Sequence, residues 1–273
     1  MRLHAISLLL ALHFAGAVEA REIGPEALDR LPEVDVFFLG EIHDNPAQHR
    51  NQARAVRSIA PAALVFEMLG DAQVAAMPDD RSNARAIAEA TEWEARGWPD
   101  FAMYHPIFTA APEARIYAGD LGIDAVRQSL RTGAAAVFGA DADRFGLTEP
   151  LPEAQQAARE ADLQAAHCDA LPPEALPGMV EAQRLRDAAL ARAALLALTE
   201  TGGPVVVITG VEHARTDIGA PSLLRRADPG VTVLSIAQIE SIPTGRPPHH
   251  LWLFTEGVPT RGDPCAIFET QGG

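Results

Sequence analysis

The chain reads VDVFFLGEIHDNP at positions 34–46. The apolar run at 34–39 predicts a short buried strand that ends at Gly40. Asn45 and Pro46 then supply a helix cap and a first-turn proline, and the helical pattern that they begin reaches about residue 59. This stretch is therefore a strand, a loop and a helix, the repeating unit of an α/β fold.

Further short apolar runs extend this pattern along the chain. The predicted strands lie at 62–66, 114–118, 205–209, 231–236 and 251–254, the last at an edge of the sheet. Near-continuous apolar strands that alternate with helices favour a mainly parallel sheet flanked by helices on both faces. Residues 132–199 contain no comparable run, and helical spacing at 153–167 and 174–199 predicts a smaller all-helical subdomain. It is inserted into a sheet domain formed by 21–131 and 200–273.

The charge balance argues against a nucleic-acid partner. The chain has 22 basic and 37 acidic residues, a formal charge of −15, and every basic residue is an arginine. Nucleic-acid binding requires a basic face, which this composition does not supply. The acidic excess is spread along the sequence and acts mainly on solubility.

Residues 1–20 have the features of a secretory signal peptide, with a basic start, an apolar run and a small-x-small cleavage site. The run is too short for a transmembrane helix, and no later run is longer, so we predict no transmembrane span and a periplasmic or secreted protein. Export allows Cys168 and Cys265 to form one disulfide. Two buried free thiols also fit the sequence, and we predict the disulfide.

Candidate chemistry lies where the predicted strands end. Glu41 and His43 follow the first strand, Glu67 the next, and His213 the strand at 205–209. In an open parallel sheet the carboxyl ends of the strands share one crevice, so we expect these side chains to lie together. Imidazoles and carboxylates suit a divalent metal, held by His43, Glu67 and His213, or equally a general acid and base.

A second candidate site is the aromatic stretch GWPDFAMYHPIF at 97–108, which holds four of the 15 aromatic residues of the chain. Such a segment either covers the core or contacts a large flat ligand. Tyr104 and His105 are competent axial ligands of ferric haem, and Met179 and Tyr117 are weaker candidates.

Five further stretches read FLGEIHDN at 38–45, LVFEM at 64–68, HCDALP at 167–172, MVEAQRLRD at 179–187 and ITGVEHAR at 208–215. Together they resemble the ChaN family, bacterial haem-binding uptake proteins in a superfamily with Tiki, TraB and erythromycin-esterase-like proteins. The resemblance spans nearly the whole mature chain. It implies a parallel sheet, a smaller helical domain, and haem held non-covalently by a tyrosine in a pocket that a second copy completes.

Transferred to this sequence, the resemblance implies Tyr104 as the iron ligand, with His105 as the alternative. Family members use a lysine for a haem propionate, and because this chain has none, we expect Arg184 or Arg186 to replace it. The predicted function is periplasmic haem binding for haem or iron uptake, with a haem-induced homodimer and an outer-membrane haem receptor as partners.

The resemblance also implies an alternative function. Hydrolytic members of the superfamily use the positions of Glu41, His43, Glu67 and His213. A metal-dependent or Glu/His-based hydrolase that acts at the strand ends is therefore the second hypothesis.

Overall fold

The computed structural model describes residues 20–263 and 265–266. The predicted signal peptide lies outside these residues apart from Ala20. Within the described residues no helix has both the length and the hydropathy to cross a bilayer.

The centre of the molecule is a sheet of seven strands, all of them parallel to their neighbours. The strands are β1 (Arg21–Glu22), β2 (Val36–Glu41), β3 (Ala63–Phe66), β4 (Arg115–Ala118), β5 (Val205–Gly210), β6 (Val233–Ile239) and β7 (Leu251–Phe254). Their spatial order is β1-β7-β6-β2-β5-β3-β4. The predicted parallel α/β fold is confirmed.

The placement of β7 at an edge was wrong, because β1 pairs with its outer side. Strand β1 has only two residues, both exposed and charged, so it leaves no apolar run in the sequence.

Helices cover both faces of the sheet. They are α1 (Pro46–Ile59), α2 (Asp71–Ala76), α3 (Ala84–Ala90), α4 (Phe101–Ala110), α5 (Ile123–Thr132), α6 (Ala134–Phe138), α7 (Glu153–Ala166), α8 (Leu176–Thr201) and α9 (Ala220–Ala227). Helix α1 starts as predicted, since the Asn45 side chain accepts hydrogen bonds from the first-turn N–H groups of Ala47 and Gln48.

The alternation of side chains along β2 separates the two layers of the core. Phe37 and Leu39 pack with α1 and α4, whereas Val36 and Phe38 pack with α8 and α9. The regular elements of 132–199 are all helical, as expected from their composition. Helix α8 nevertheless shares a hydrophobic cluster with the strands, so it covers the sheet directly.

The strand register brings the predicted site residues to one edge of the sheet. Glu41 at the end of β2 pairs with Gly210 at the end of β5, and Phe66 at the end of β3 pairs with Ile208. Glu67, which follows β3, donates its backbone N–H to the Ile208 carbonyl. The carboxyl ends of three adjacent strands therefore meet at one crevice.

The predicted disulfide is present and joins Cys168, just after α7, to Cys265 near the C-terminus. The segment that leads to Cys265 is also tied to the sheet, because Arg261 forms ion pairs with Asp44 and Glu240. The bond closes a loop of 97 residues.

We predict that replacing both cysteines by serine lowers the free energy of unfolding by about 2–4 kcal/mol, because the crosslink restricts the unfolded chain. Guanidinium denaturation of oxidised wild type, reduced wild type and the double variant measures the effect, and the last two should agree. A double variant as stable as the oxidised protein would contradict the prediction.

Candidate functional site

Two carboxylate–histidine pairs converge on a third carboxylate. His43 donates from Nδ1 to Glu41 Oε1 at 2.9 Å, and His213 donates from Nδ1 to Asp187 Oδ1 at 2.7 Å. The Nε2 atoms of both rings face Glu67 Oε1, at 3.9 Å from His43 and 3.6 Å from His213. Because each Nδ1 is held by a carboxylate, each Nε2 is directed at the same point.

Glu67 is fixed by the end of β5. Its Oε2 accepts hydrogen bonds from the Thr209 hydroxyl and the Gly210 N–H, each at 2.7 Å. A Cβ atom at Gly210 would lie 3.2 Å from His43 Nε2 and 3.6 Å from Glu67 Oε2. Glycine at this position therefore lets the strand end approach both groups closely.

Glu41 is buried on the core side of the site. The Tyr104 hydroxyl donates to its Oε1 at 2.6 Å, and His49 Nδ1 lies 3.3 Å from its Oε2. Burial alone would raise the pKa of Glu41, but the contacts with His43 and His49 outweigh it and lower the pKa to about 2. Glu41 is therefore ionised at neutral pH.

The same opposing effects act on His213, Glu67 and His43. Burial opposes charge on His213, yet the nearby Glu67 carboxylate and the hydrogen bond to Asp187 raise its pKa to about 9. Burial likewise opposes charge on Glu67, but His213 and His43 lower its pKa. Burial also opposes charge on His43, but the hydrogen bond to Glu41 and the charges of Glu67 and Glu41 together raise its pKa. At neutral pH the Glu67 carboxylate thus faces a protonated His213 and a second imidazole, His43, whose protonated form is favoured.

This arrangement suits acid–base chemistry. A protonated imidazole donates a proton and an adjacent carboxylate accepts one, as general acid–base catalysis requires. The metal site predicted at His43, Glu67 and His213 gains no support, since no metal-binding group of three His, Cys, Asp or Glu residues occurs at 20–263 or 265–266.

The structure brings together all four residues predicted at the strand ends, Glu41, His43, Glu67 and His213. Sequence reasoning missed Asp187 as a partner of His213, because a carboxylate on a long helix is typical of a solvated face. Asp187 is instead buried. The one available signal was its place at the end of the MVEAQRLRD string that carries the family resemblance.

Tyr104 requires a correction. The side chain is fully buried, and its hydroxyl is committed to Glu41. Burial and the Glu41 charge both raise the pKa of Tyr104, which opposes formation of a tyrosinate. The aromatic stretch around it packs into the core through α4, where Phe101, Tyr104 and Phe108 are buried. The stretch therefore covers the core through these three rings.

The other predicted haem contacts differ in how far their polar groups are already engaged within the protein. His105 shares a hydrogen bond at Nε2 with the Arg81 carbonyl at 2.9 Å. Arg184 is buried, and its guanidinium bonds Glu181 and three backbone carbonyls, so its donors are used inside the protein. Arg186 is half-buried near His213 and makes no hydrogen bond or ion pair within the described part of the chain.

A cleft adjoins the His213 side of the site, and we call it the α7–α8 cleft. It has a volume of about 390 Å³. Its apolar lining comes from both helices and the loop after β5, and its charged lining includes two arginines, Arg159 and Arg215, and three carboxylates, Asp162, Asp187 and Glu212. The lining residues used below are Leu163, Ala166, Val180, Ile218, Arg159, Arg215, Asp187 and His213.

Comparison with known proteins identifies the family. A family model described as "Haem-binding uptake, Tiki superfamily, ChaN" matches residues 27–224. The chain belongs to this family. The match includes the whole ionic site and both helices of the α7–α8 cleft, so both are parts of the ChaN-family region.

A solved ChaN structure agrees on the fold. The structure described as cofacial haem binding to ChaN of Campylobacter jejuni has a TM-score of 0.61 and 15% identity, and covers 83% of this chain and 88% of that one. The type III effector HopBA1 has a TM-score of 0.45 and 13% identity, over 82% of this chain and 88% of that chain. No curated protein sequence matches this ChaN-family chain significantly.

We predict that His213 makes stability depend on pH above neutrality. Its pKa is 6.5 when unperturbed and about 9 in the folded protein, so the folded state holds the proton more tightly. The resulting stabilisation is complete below pH 6.5 and disappears as the pH rises through 9. It amounts to at most about 3 kcal/mol.

Urea denaturation across this pH range measures the effect. The His213→Gln variant should show a smaller decline between pH 6.5 and 9 than wild type. His105→Gln, which changes a histidine outside the ionic site, is the matched control and should keep the wild-type slope. Equal slopes in wild type and His213→Gln would refute the raised pKa.

Proposed function

We propose that this protein binds haem in the α7–α8 cleft and serves in haem uptake. Membership of a haem-binding uptake family supports the ligand. The observation that carries the proposal is the lining of the cleft, in which apolar side chains and arginines occur together. Haem has two apolar faces and two carboxylates, and it requires both kinds of contact.

The apolar contacts come from Leu163 and Ala166 on α7, Val180 on α8, and Ile218 in the loop after β5. Such side chains can bury part of a porphyrin face. Burial of apolar surface contributes roughly 25 cal/mol per Å², so it supplies most of the favourable free energy.

We propose that haem also drives dimerisation. A cleft on a single chain covers one face of the porphyrin and leaves the other in water, and a second copy that closes over it recovers that burial. The Campylobacter jejuni ChaN structure is described as binding haem cofacially. A face-to-face arrangement of two haems between two copies would meet the same physical requirement here.

The proposed location is the periplasm. The signal-like segment at 1–20 and the Cys168–Cys265 disulfide both support an oxidising, exported environment. In that compartment the proposed partner is an outer-membrane haem receptor that delivers the ligand.

The iron ligand departs from the tyrosine that the resemblance implies. The chain has two tyrosines, and neither of them lines the α7–α8 cleft. Tyr104 donates to Glu41 in the core, and Tyr117 donates to Glu200 at 2.9 Å. Haem in this cleft therefore binds without either tyrosine unless the fold rearranges.

We predict that the mature protein binds an equimolar amount of hemin and becomes dimeric when it does. Absorption spectroscopy follows the titration, and light scattering after size exclusion gives the mass with and without hemin. Val180→Asp, which places a charge in the apolar lining, should abolish binding, whereas Arg85→Gln on the exposed face of α3 should not.

The same titration tests the iron ligand. Tyr104→Phe should bind hemin with the wild-type spectrum, and its cost should be a lower melting temperature through loss of the Glu41 bond. Disappearance of a ferric tyrosinate band in this variant would restore Tyr104 as the ligand. Wild-type protein that binds no hemin would refute the proposed function.

A hydrolase is the second candidate, favoured by the convergence of two carboxylate–histidine pairs on Glu67. In such an enzyme Glu67 would accept a proton from the attacking water, and His213 would donate its Nε2 proton to the leaving group. Glu41 and Asp187 would hold the two rings in place through their Nδ1 atoms. These roles need no group beyond the residues of the chain.

We predict for this candidate that the protein hydrolyses ethyl butyrate, whose alkoxide leaving group requires a proton, and that Glu67→Gln and His213→Asn each lower kcat by about 100-fold or more. Arg85→Gln should keep full activity. Absence of hydrolysis by wild type, or equal rates in wild type and Glu67→Gln, would eliminate an esterase based on this cluster.

A further inference from the structure

Arg159 is a buried cation that forms no ion pair with any described carboxylate, although Asp187 and Asp217 lie near enough to act on it electrostatically. It lies on α7, is 9% exposed, and lines the α7–α8 cleft. Its Nη2 donates to the Ile218 carbonyl at 3.0 Å, and its Nε is buried without any hydrogen-bond acceptor. Among residues 20–263 and 265–266 it forms no ion pair. A buried charge without an ion pair destabilises the folded protein, and binding of an anion beside it would offset that cost.

Two other arginines of this region, Arg215 and Arg184, are neutralised, and Arg186, which is unpaired among the described residues, does not line the cleft. Arg215, which lines the same cleft, pairs with Asp162, Glu212 and Asp217. Arg184 pairs with Glu181 and donates to backbone carbonyls. Within the described residues that line the cleft, Arg159 is thus the arginine whose charge remains available to a ligand.

The surroundings of Arg159 define the shape of that ligand. Leu163 lies one helical turn further along α7, and Val180 and Ile218 also line the cleft. A ligand that satisfies both features has an apolar body and an anionic group. Arginine recognises carboxylates through paired N–H donors, which a lysine cannot reproduce.

We propose that Arg159 binds a carboxylate of an apolar ligand seated in the α7–α8 cleft. This inference rests on the proposed function, under which the carboxylate is a haem propionate. Arg159 takes the role predicted from the sequence for Arg184, whose N–H donors are already used within the protein. The carboxylate contact and the apolar lining then come from the same chain.

The central experiment compares hemin with hemin dimethyl ester, in which both carboxylates are masked. Arg159→Gln should weaken hemin binding by about 10- to 100-fold, the range expected for a charge-assisted hydrogen bond to a carboxylate. The same variant should bind the dimethyl ester as wild type does. Arg159→Lys should recover only part of the loss, and the exposed control Arg85→Gln should bind both ligands normally.

Equal weakening of hemin and dimethyl ester binding by Arg159→Gln would overturn the inference, because it would show loss of cleft shape. Unchanged hemin binding in Arg159→Gln would also overturn it. Circular dichroism and melting temperatures of each variant establish that the fold is retained before binding is compared.

A second probe separates failure of this inference from failure of the proposed function. Isothermal titration with dodecanoate and with dodecanol tests the carboxylate site without haem. If wild type binds no hemin but binds dodecanoate more tightly than dodecanol, and Arg159→Gln removes that preference, haem fails and the carboxylate site stands. If neither hemin nor dodecanoate binds, both proposals fail.

Discussion

The structure of the site depends on one constraint, that the buried Glu67 carboxylate must be compensated. Two imidazoles, a hydroxyl and a backbone N–H perform this compensation. They come from the ends of β2 and β5, so the ion can be satisfied only if these strands end level with β3. A carboxylate left without these partners would be strongly unfavourable in the interior. The register of three strands and the charge of one side chain are therefore linked.

Each imidazole in turn depends on a second carboxylate. His43 is oriented by Glu41, which belongs to β2, and His213 is oriented by Asp187, which belongs to α8. Because α8 both covers the sheet and lines the α7–α8 cleft, it connects the ionic site to the proposed ligand site. His213 and Asp187 line the cleft as well. A ligand in the cleft would thus lie beside the acid–base cluster, which is why haem binding and hydrolysis are both coherent functions for this fold. The fold does not select between them, since function resides in the site.

Much of this arrangement could be predicted from the sequence. The apolar strands and the residues that follow them indicate a parallel sheet and one shared crevice, and Glu41, His43, Glu67 and His213 meet there. The sequence does not show which residues are buried in three dimensions. In the sequence, Asp187 resembles a solvated helical residue and Tyr104 resembles an exposed iron ligand. Local composition does not show which distant elements, such as α1 and β2, pack against a side chain in the folded protein. Arg159 is similar: its lack of a partner is a property of packing and leaves no sequence pattern.

The central claim is that Glu67 is ionised and holds His213 in its protonated form. Nitrogen-15 NMR of histidine-labelled protein measures this most directly, since the ring nitrogens of imidazole and imidazolium have distinct chemical shifts. His213 should be protonated on both nitrogens at pH 7.5 in wild type, and Glu67→Gln should lower its pKa. A neutral His213 at pH 7.5, or a pKa unaffected by Glu67→Gln, would show that Glu67 does not hold His213 in its protonated form.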